Sequence, residues 1–144
     1  MNWKLIFQLS LFGLAMGIGT VFFIPPNIEP IIWLVIFLFC AYVIGGSVSS
    51  AGRSFLHGLL LGLVNCVWIT GSHMLLFDRY IVNHPAEAKM MASMPNPDSP
   101  RLMMALVGPI VGVISGIIIG LLAMIAVKIR RPRVPAAPAA ANQN

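Results

Sequence analysis

Residues 102–129 read LMMALVGPIVGVISGIIIGLLAMIAVKI, and this stretch decides the fold. It is 28 residues long and carries one charged side chain, Lys128, at its far end. At about 1.5 Å per residue such a helix is about 42 Å long, against a hydrocarbon core of about 30 Å. It therefore spans a bilayer and must tilt or protrude. Gly108, Gly112, Gly116 and Gly120 recur in it at four-residue steps. Each step turns the helix by about 400°, so the glycines form one slowly winding track free of side chains, along which another backbone can approach.

Upstream, three more apolar runs have spanning length: 5–24, 31–48 and 55–77. The small residues Ala15-Met16-Gly17 in the first run are compatible with a cleaved signal peptide. The run continues through Val21-Phe22-Phe23-Ile24, however, which favours a span. Pro25-Pro26-Asn27 ends the first run, because proline lacks an amide proton and restricts the residue before it. Gly45-Gly46-Ser47 and Ser49–Gly52 weaken the second near its end, where Arg53 marks a turn. The third run has its own small-residue track, Ser54, Gly58, Gly62, Cys66 and Thr70, in step with that of the fourth. The first adds Gly13 and Gly17.

The whole composition agrees. Of 144 residues 58% are hydrophobic and 9% charged, and the mean hydropathy is +0.91, too little polar surface to coat a soluble globule. The expected fold class is all-α, an integral membrane four-helix bundle with a short helix in the outer loop between spans three and four. Residues 1–131 form the membrane domain, with spans at about 5–24, 31–48, 55–77 and 102–129. The outer loop is 78–101, and 132–144 is a disordered cytoplasmic tail without bulky residues. In the loop, Pro85 suits a first helical position, Glu87 suits the positive helix end, and Pro95-Asn96-Pro97 stops the helix after Met94.

Charge sets the orientation. With both termini inside, Lys4, Arg53, Lys128, Arg130, Arg131 and Arg133 are cytoplasmic, while Arg79, Lys89, Arg101 and all four acids lie outside. This is the bias of the positive-inside rule. The net charge of +5 does not indicate nucleic acid, because Lys128, Arg130, Arg131 and Arg133 cluster directly after the last span, where anionic lipid headgroups are the natural partner. Trp3, Trp33 and Tyr80 fall at the expected interfaces, as an aromatic belt does.

The candidate site residues follow from these placements. Gly58, Gly62, Gly108, Gly112, Gly116 and Gly120 are helix-packing positions, either within the chain or against a second copy or another membrane protein. Asn65, midway along span three, should face the bundle and hydrogen-bond another helix, since an unpaired amide in lipid costs free energy. Cys40 and Cys66 are small packing residues without metal or disulfide spacing. His57 lies near Arg53, where both reach headgroups. His73, Asp78, His84 and Glu87 accompany six methionines near the outer loop. Such donors suit copper or zinc, although the methionines equally form the apolar face of a surface helix. No catalytic motif occurs and Ser115 has no neighbouring base, so neither an enzyme nor a resident cofactor is expected.

The second half, from Arg53-Ser-Phe-Leu-His-Gly to Gly108-Pro-Ile-Val-Gly-Val-Ile-Ser-Gly-Ile-Ile-Ile-Gly and the terminal basic cluster, resembles small four-span bacterial inner-membrane proteins of families of unknown function. Their usual layout is two hairpins with a helical periplasmic insert before a glycine-rich last helix. The resemblance implies a bacterial inner membrane and supplies no functional residue. The expected role is a non-enzymatic scaffold or accessory subunit, with a small oligomeric transporter or metal-handling protein as the alternative.

Overall fold

Apolar length and proline breaks divide the chain into six helices: α1 (Trp3–Phe22), α2 (Glu29–Ser47), α3 (Ala51–Leu75), α4 (Phe77–Asn83), α5 (Pro85–Ala92) and α6 (Pro100–Arg130). The computed structural model describes residues 1–94 and 98–130. Arg131, Arg133, the Pro95-Asn96-Pro97 stop and the tail lie outside the described residues, among which there is no strand. Helices α1, α2, α3 and α6 are long and apolar enough to cross a membrane. Their connectivity puts residues 1–3, 47–51 and 130 at one end, the terminal end. Residues 22–29, 75–94 and 98–100 lie at the other, the loop end.

Local chemistry sets the boundaries. The Asn2 side chain caps α1 by accepting a hydrogen bond from the Leu5 amide at 3.1 Å. At the far end of α1 the amides of Phe23 and Ile24 both close onto the Gly19 carbonyl before the prolines. Helix α2 opens with Glu29-Pro30, an acid in the first turn and a proline where no amide proton is needed. Loop-end structure exceeds what the pattern predicts, since α4 follows α3 after the single residue Leu76. Helix α5 closes at Ala92, two residues short of Met94. There Ser93 and Met94 bond back by three residues, and the Ser93 hydroxyl donates to the Met90 carbonyl at 2.7 Å. Helix α6 runs unbroken through Pro109, a residue that costs it one backbone hydrogen bond.

Packing is organised around α3. It meets α6 over the largest contact and α1 over the next, while α2 leans mainly on α6. Toward the terminal end the four long helices converge on one core, which includes Leu9, Cys40, Ile44, Leu61, Ile119 and Ala123. The fully buried residues of α2 are Cys40, Ala41, Ile44 and Gly45, and none precedes Cys40. Its loop-end half is less covered: Ile36 and Phe37 are only partly buried against the core, and Ile31, Leu34 and Val35 are exposed.

Candidate functional site

The two small-residue tracks meet along the α3–α6 contact. A Cβ on Gly58 would collide with the backbone of Gly120, and one on Gly62 with that of Gly116. Cys66 faces Gly112, where a Cβ would lie 2.6 Å from the Cys66 Cβ, and Thr70 faces Gly108. Each four-residue step forward along α3 answers a four-residue step backward along α6, the register of an antiparallel pair. The track is thus occupied within the chain. Helix α1 docks on another face of α3 in the same manner, with Gly17 against the Ile69 backbone and Ser72. Beside them the Trp68 indole Nε1–H donates to Ser10 Oγ at 3.1 Å.

A cleft of about 500 Å³ opens between the loop-end half of α2 and the α3–α6 pair. One wall is Trp33, Leu34 and Phe37 of α2; the other is Val111, Ser115 and Ile118 of α6. Gly62, Gly108 and Gly112 line the space between them, where the edge of the α3–α6 contact faces the cleft. Leu34 is 57% exposed and Val111 54%, which shows that the cleft opens sideways, toward what would be lipid. The volume lies within the range of roughly 300–1,000 Å³ typical of small-molecule sites, and bundles place such sites between helices. At its loop-end mouth Glu29 accepts a hydrogen bond from Trp33 Nε1–H at 3.1 Å.

No protein-family model matches the sequence, and no curated protein or solved structure is similar to it. Geometry alone identifies the site.

Asn65 also borders the cleft, but its carboxamide is turned against α1, with Oδ1 only 2.5 Å from where a Gly13 Cβ would be. Both polar atoms are sealed from solvent and without a partner among the described residues, so the expected interhelical hydrogen bond is not formed. The group opposite is a glycine, which offers no side-chain donor or acceptor. The cleft is left with largely apolar walls.

The four candidate metal donors do not assemble. The Tyr80 ring lies between His73 and His84, stacked on both with centroids 3.9 and 4.3 Å away, and so holds the imidazoles on opposite faces. Asp78 points outward and pairs with Arg101 at 3.8 Å, and Glu87 is engaged by the Tyr80 hydroxyl. Among the described residues no three His, Cys, Asp or Glu side chains are grouped to hold an ion. The cluster is instead a clasp between α1, α3 and the loop. Thr20 Oγ1 donates to the Met16 carbonyl at 2.9 Å and lies 2.8 Å from His73 Nε2, which completes the pair with its own N–H. The Asn83 carboxamide donates to the Val21 carbonyl. Burial and the Glu87 carboxylate push the Tyr80 phenol above its ordinary value. Tyr80 is 4% exposed, a core residue and not part of an aromatic belt.

His57 likewise faces inward. It is 3% exposed, with Nε2 accepting from the Asn2 amide at 3.0 Å and Nδ1–H donating to the Arg53 carbonyl at 2.6 Å. One tautomer satisfies both bonds, and the ring ties the start of α1 to α3 in place of reaching a headgroup. Lys128 and Arg130 are exposed at the end of α6, and the Arg130 guanidinium lies 3.8 Å over the Tyr42 ring.

Proposed function

We propose that the protein is a non-enzymatic accessory protein of a bacterial inner membrane, a four-helix bundle with both termini cytoplasmic, which acts by binding a membrane-dissolved apolar molecule in the lateral cleft. The observation that carries this reading is the largely apolar cleft between the less covered loop-end half of α2 and the α3–α6 pair, bordered by the exposed Leu34 and Val111. In a bilayer such a space is filled by what surrounds it, since a void forfeits dispersion contacts on every wall. A scaffold role through the glycine track finds less support, because α3 and α6 use that track on each other. Ion handling lacks a grouped donor set among the described residues. The basic end of α6 is suited to anionic headgroups of the cytoplasmic leaflet.

Native mass spectrometry after purification in mild detergent tests the reading. The expected result is about one retained lipid-sized molecule per chain. Ser115→Phe, which fills the cleft from the α6 side, should abolish its retention. A wild-type chain that carries nothing would sink the proposal.

A further inference from the structure

The mouth of the cleft carries chemistry that its walls do not. Glu29 begins α2 at the loop end, where the apolar run stops and a lipid headgroup layer would begin. Its Oε1 is fixed by the Trp33 indole, and no lysine or arginine lies within ion-pair distance of it among the described residues. The clasp at the same end of the molecule holds a second carboxylate, Glu87. The one ion pair among the described residues, Asp78 with Arg101, uses neither carboxylate. An apolar slot at hydrocarbon depth thus ends beneath a carboxylate that lacks a cation.

We infer that the cleft holds one acyl chain of a phospholipid whose headgroup bears a primary ammonium, and that Glu29 binds that ammonium. The inference rests on the cleft reading above and adds the headgroup to it. The apolar walls take the chain without choosing among lipids, since any acyl tail offers them the same surface. Selection falls to Glu29. An ammonium brings the missing cation and three N–H donors to the carboxylate, a quaternary amine brings charge without donors, and a headgroup of net negative charge is repelled. Because the carboxylate is only partly buried, the preference is modest, about three- to fivefold. Trp33 acts as a positioning residue: its N–H holds one carboxylate oxygen and leaves the other for the lipid.

The test uses the full chain in nanodiscs whose lipids share the same acyl chains and carry ethanolamine, choline or glycerol headgroups in equal amounts. Lipids that stay bound on release are counted by native mass spectrometry. Wild type should retain the ethanolamine lipid about three- to fivefold over the others. Glu29→Gln should retain lipid without preference, and Ser115→Phe should retain none. Leu34→Trp fills the cleft from α2 and replaces Ser115→Phe if that variant does not fold. Lipid retained by wild type without headgroup preference would overturn the role of Glu29 and leave the cleft reading standing. Equal retention by wild type and a folded cleft-filling variant would overturn both. A co-purifying polypeptide that crosslinks to a photoreactive residue at position 34 would overturn the acyl chain as occupant.

Discussion

Gly62 of α3 and Gly116 of α6 touch backbone to backbone, so that the hydrogen of one occupies the only space a side chain on it could have used. Any Cβ at position 62 meets the Gly116 Cα and N and the Gly112 carbonyl oxygen, none of which can rotate away. Gly62→Ala should therefore cost about 1 to 3 kcal/mol, the usual range for overpacking. Gly71 sits on the same helix with nothing near its Cβ position, and Gly71→Ala should be neutral or up to about 1 kcal/mol stabilising through helix propensity. Thermal unfolding in detergent separates the two. Equal melting temperatures for both variants would contradict the contact.

The clasp makes a second prediction. Thr20→Val removes the hydroxyl facing His73 Nε2 and leaves a buried ring nitrogen without a partner, at a cost of about 1 to 3 kcal/mol. Thr20→Ser should recover most of it. In all three proteins, elemental analysis should find copper and zinc well below one atom per chain, because Tyr80 keeps His73 and His84 apart. Stoichiometric metal that disappears with His73→Ala and His84→Ala would show that these donors do converge on an ion.

Tyr80 gives a pH dependence. Its phenol is held above its ordinary value in the folded chain, first by burial and then by Glu87, so the protonated form favours folding. That contribution is complete below about pH 10, the value for a free phenol, and is lost as the pH rises toward the folded-state value. The melting temperature of wild type should fall between about pH 10 and pH 12 more steeply than that of Tyr80→Phe, which keeps the stack but cannot ionise. Parallel curves would rule out the phenol as the titrating group.

Orientation is open to direct measurement. Ser93 is exposed at the loop end and Ser49 at the terminal end. In a chain whose Cys40 and Cys66 are alanine, a membrane-impermeant thiol reagent should label Ser93→Cys on intact spheroplasts and Ser49→Cys only after lysis. The reverse pattern would invert the topology.

The spans were legible because hydrophobic length is a local property: 5–24, 31–48, 55–77 and 102–129 each lie within a few residues of a helix boundary. The partner of the glycine track was not, since a four-residue repeat states that a backbone approaches without stating whose. For His57 and His73 the pattern sets depth along the helix but not direction, and for Asn65 it sets an inward direction but not the partner. Each sits on α3, a helix covered on two faces, and what lies opposite a side chain there is decided by helices 50 or more residues away. The pattern places Tyr80 at an interface because it carries no sign of α4; the turn at Leu76 brings its ring against His73 of α3. The walls of the cleft have no local signal, because they come from α2, α3 and α6 together. Only the four-residue spacing of Glu29 and Trp33, neighbours on one helix face, marked its mouth.

The central place of α3 also sets a timetable for the making of the molecule. Helix α1 is already in the membrane when α3 is synthesised and can pair with it at once. Helix α6 is complete only 55 residues after Leu75, roughly 3 to 11 s later at about 5 to 20 residues per second. For that interval the nascent chain has three of its four long helices, and Gly58 and Gly62 lack the α6 backbone that covers them in the finished fold. Slowing the ribosome between Leu75 and Arg130 lengthens that interval, and the expected outcome is a lower yield of folded protein.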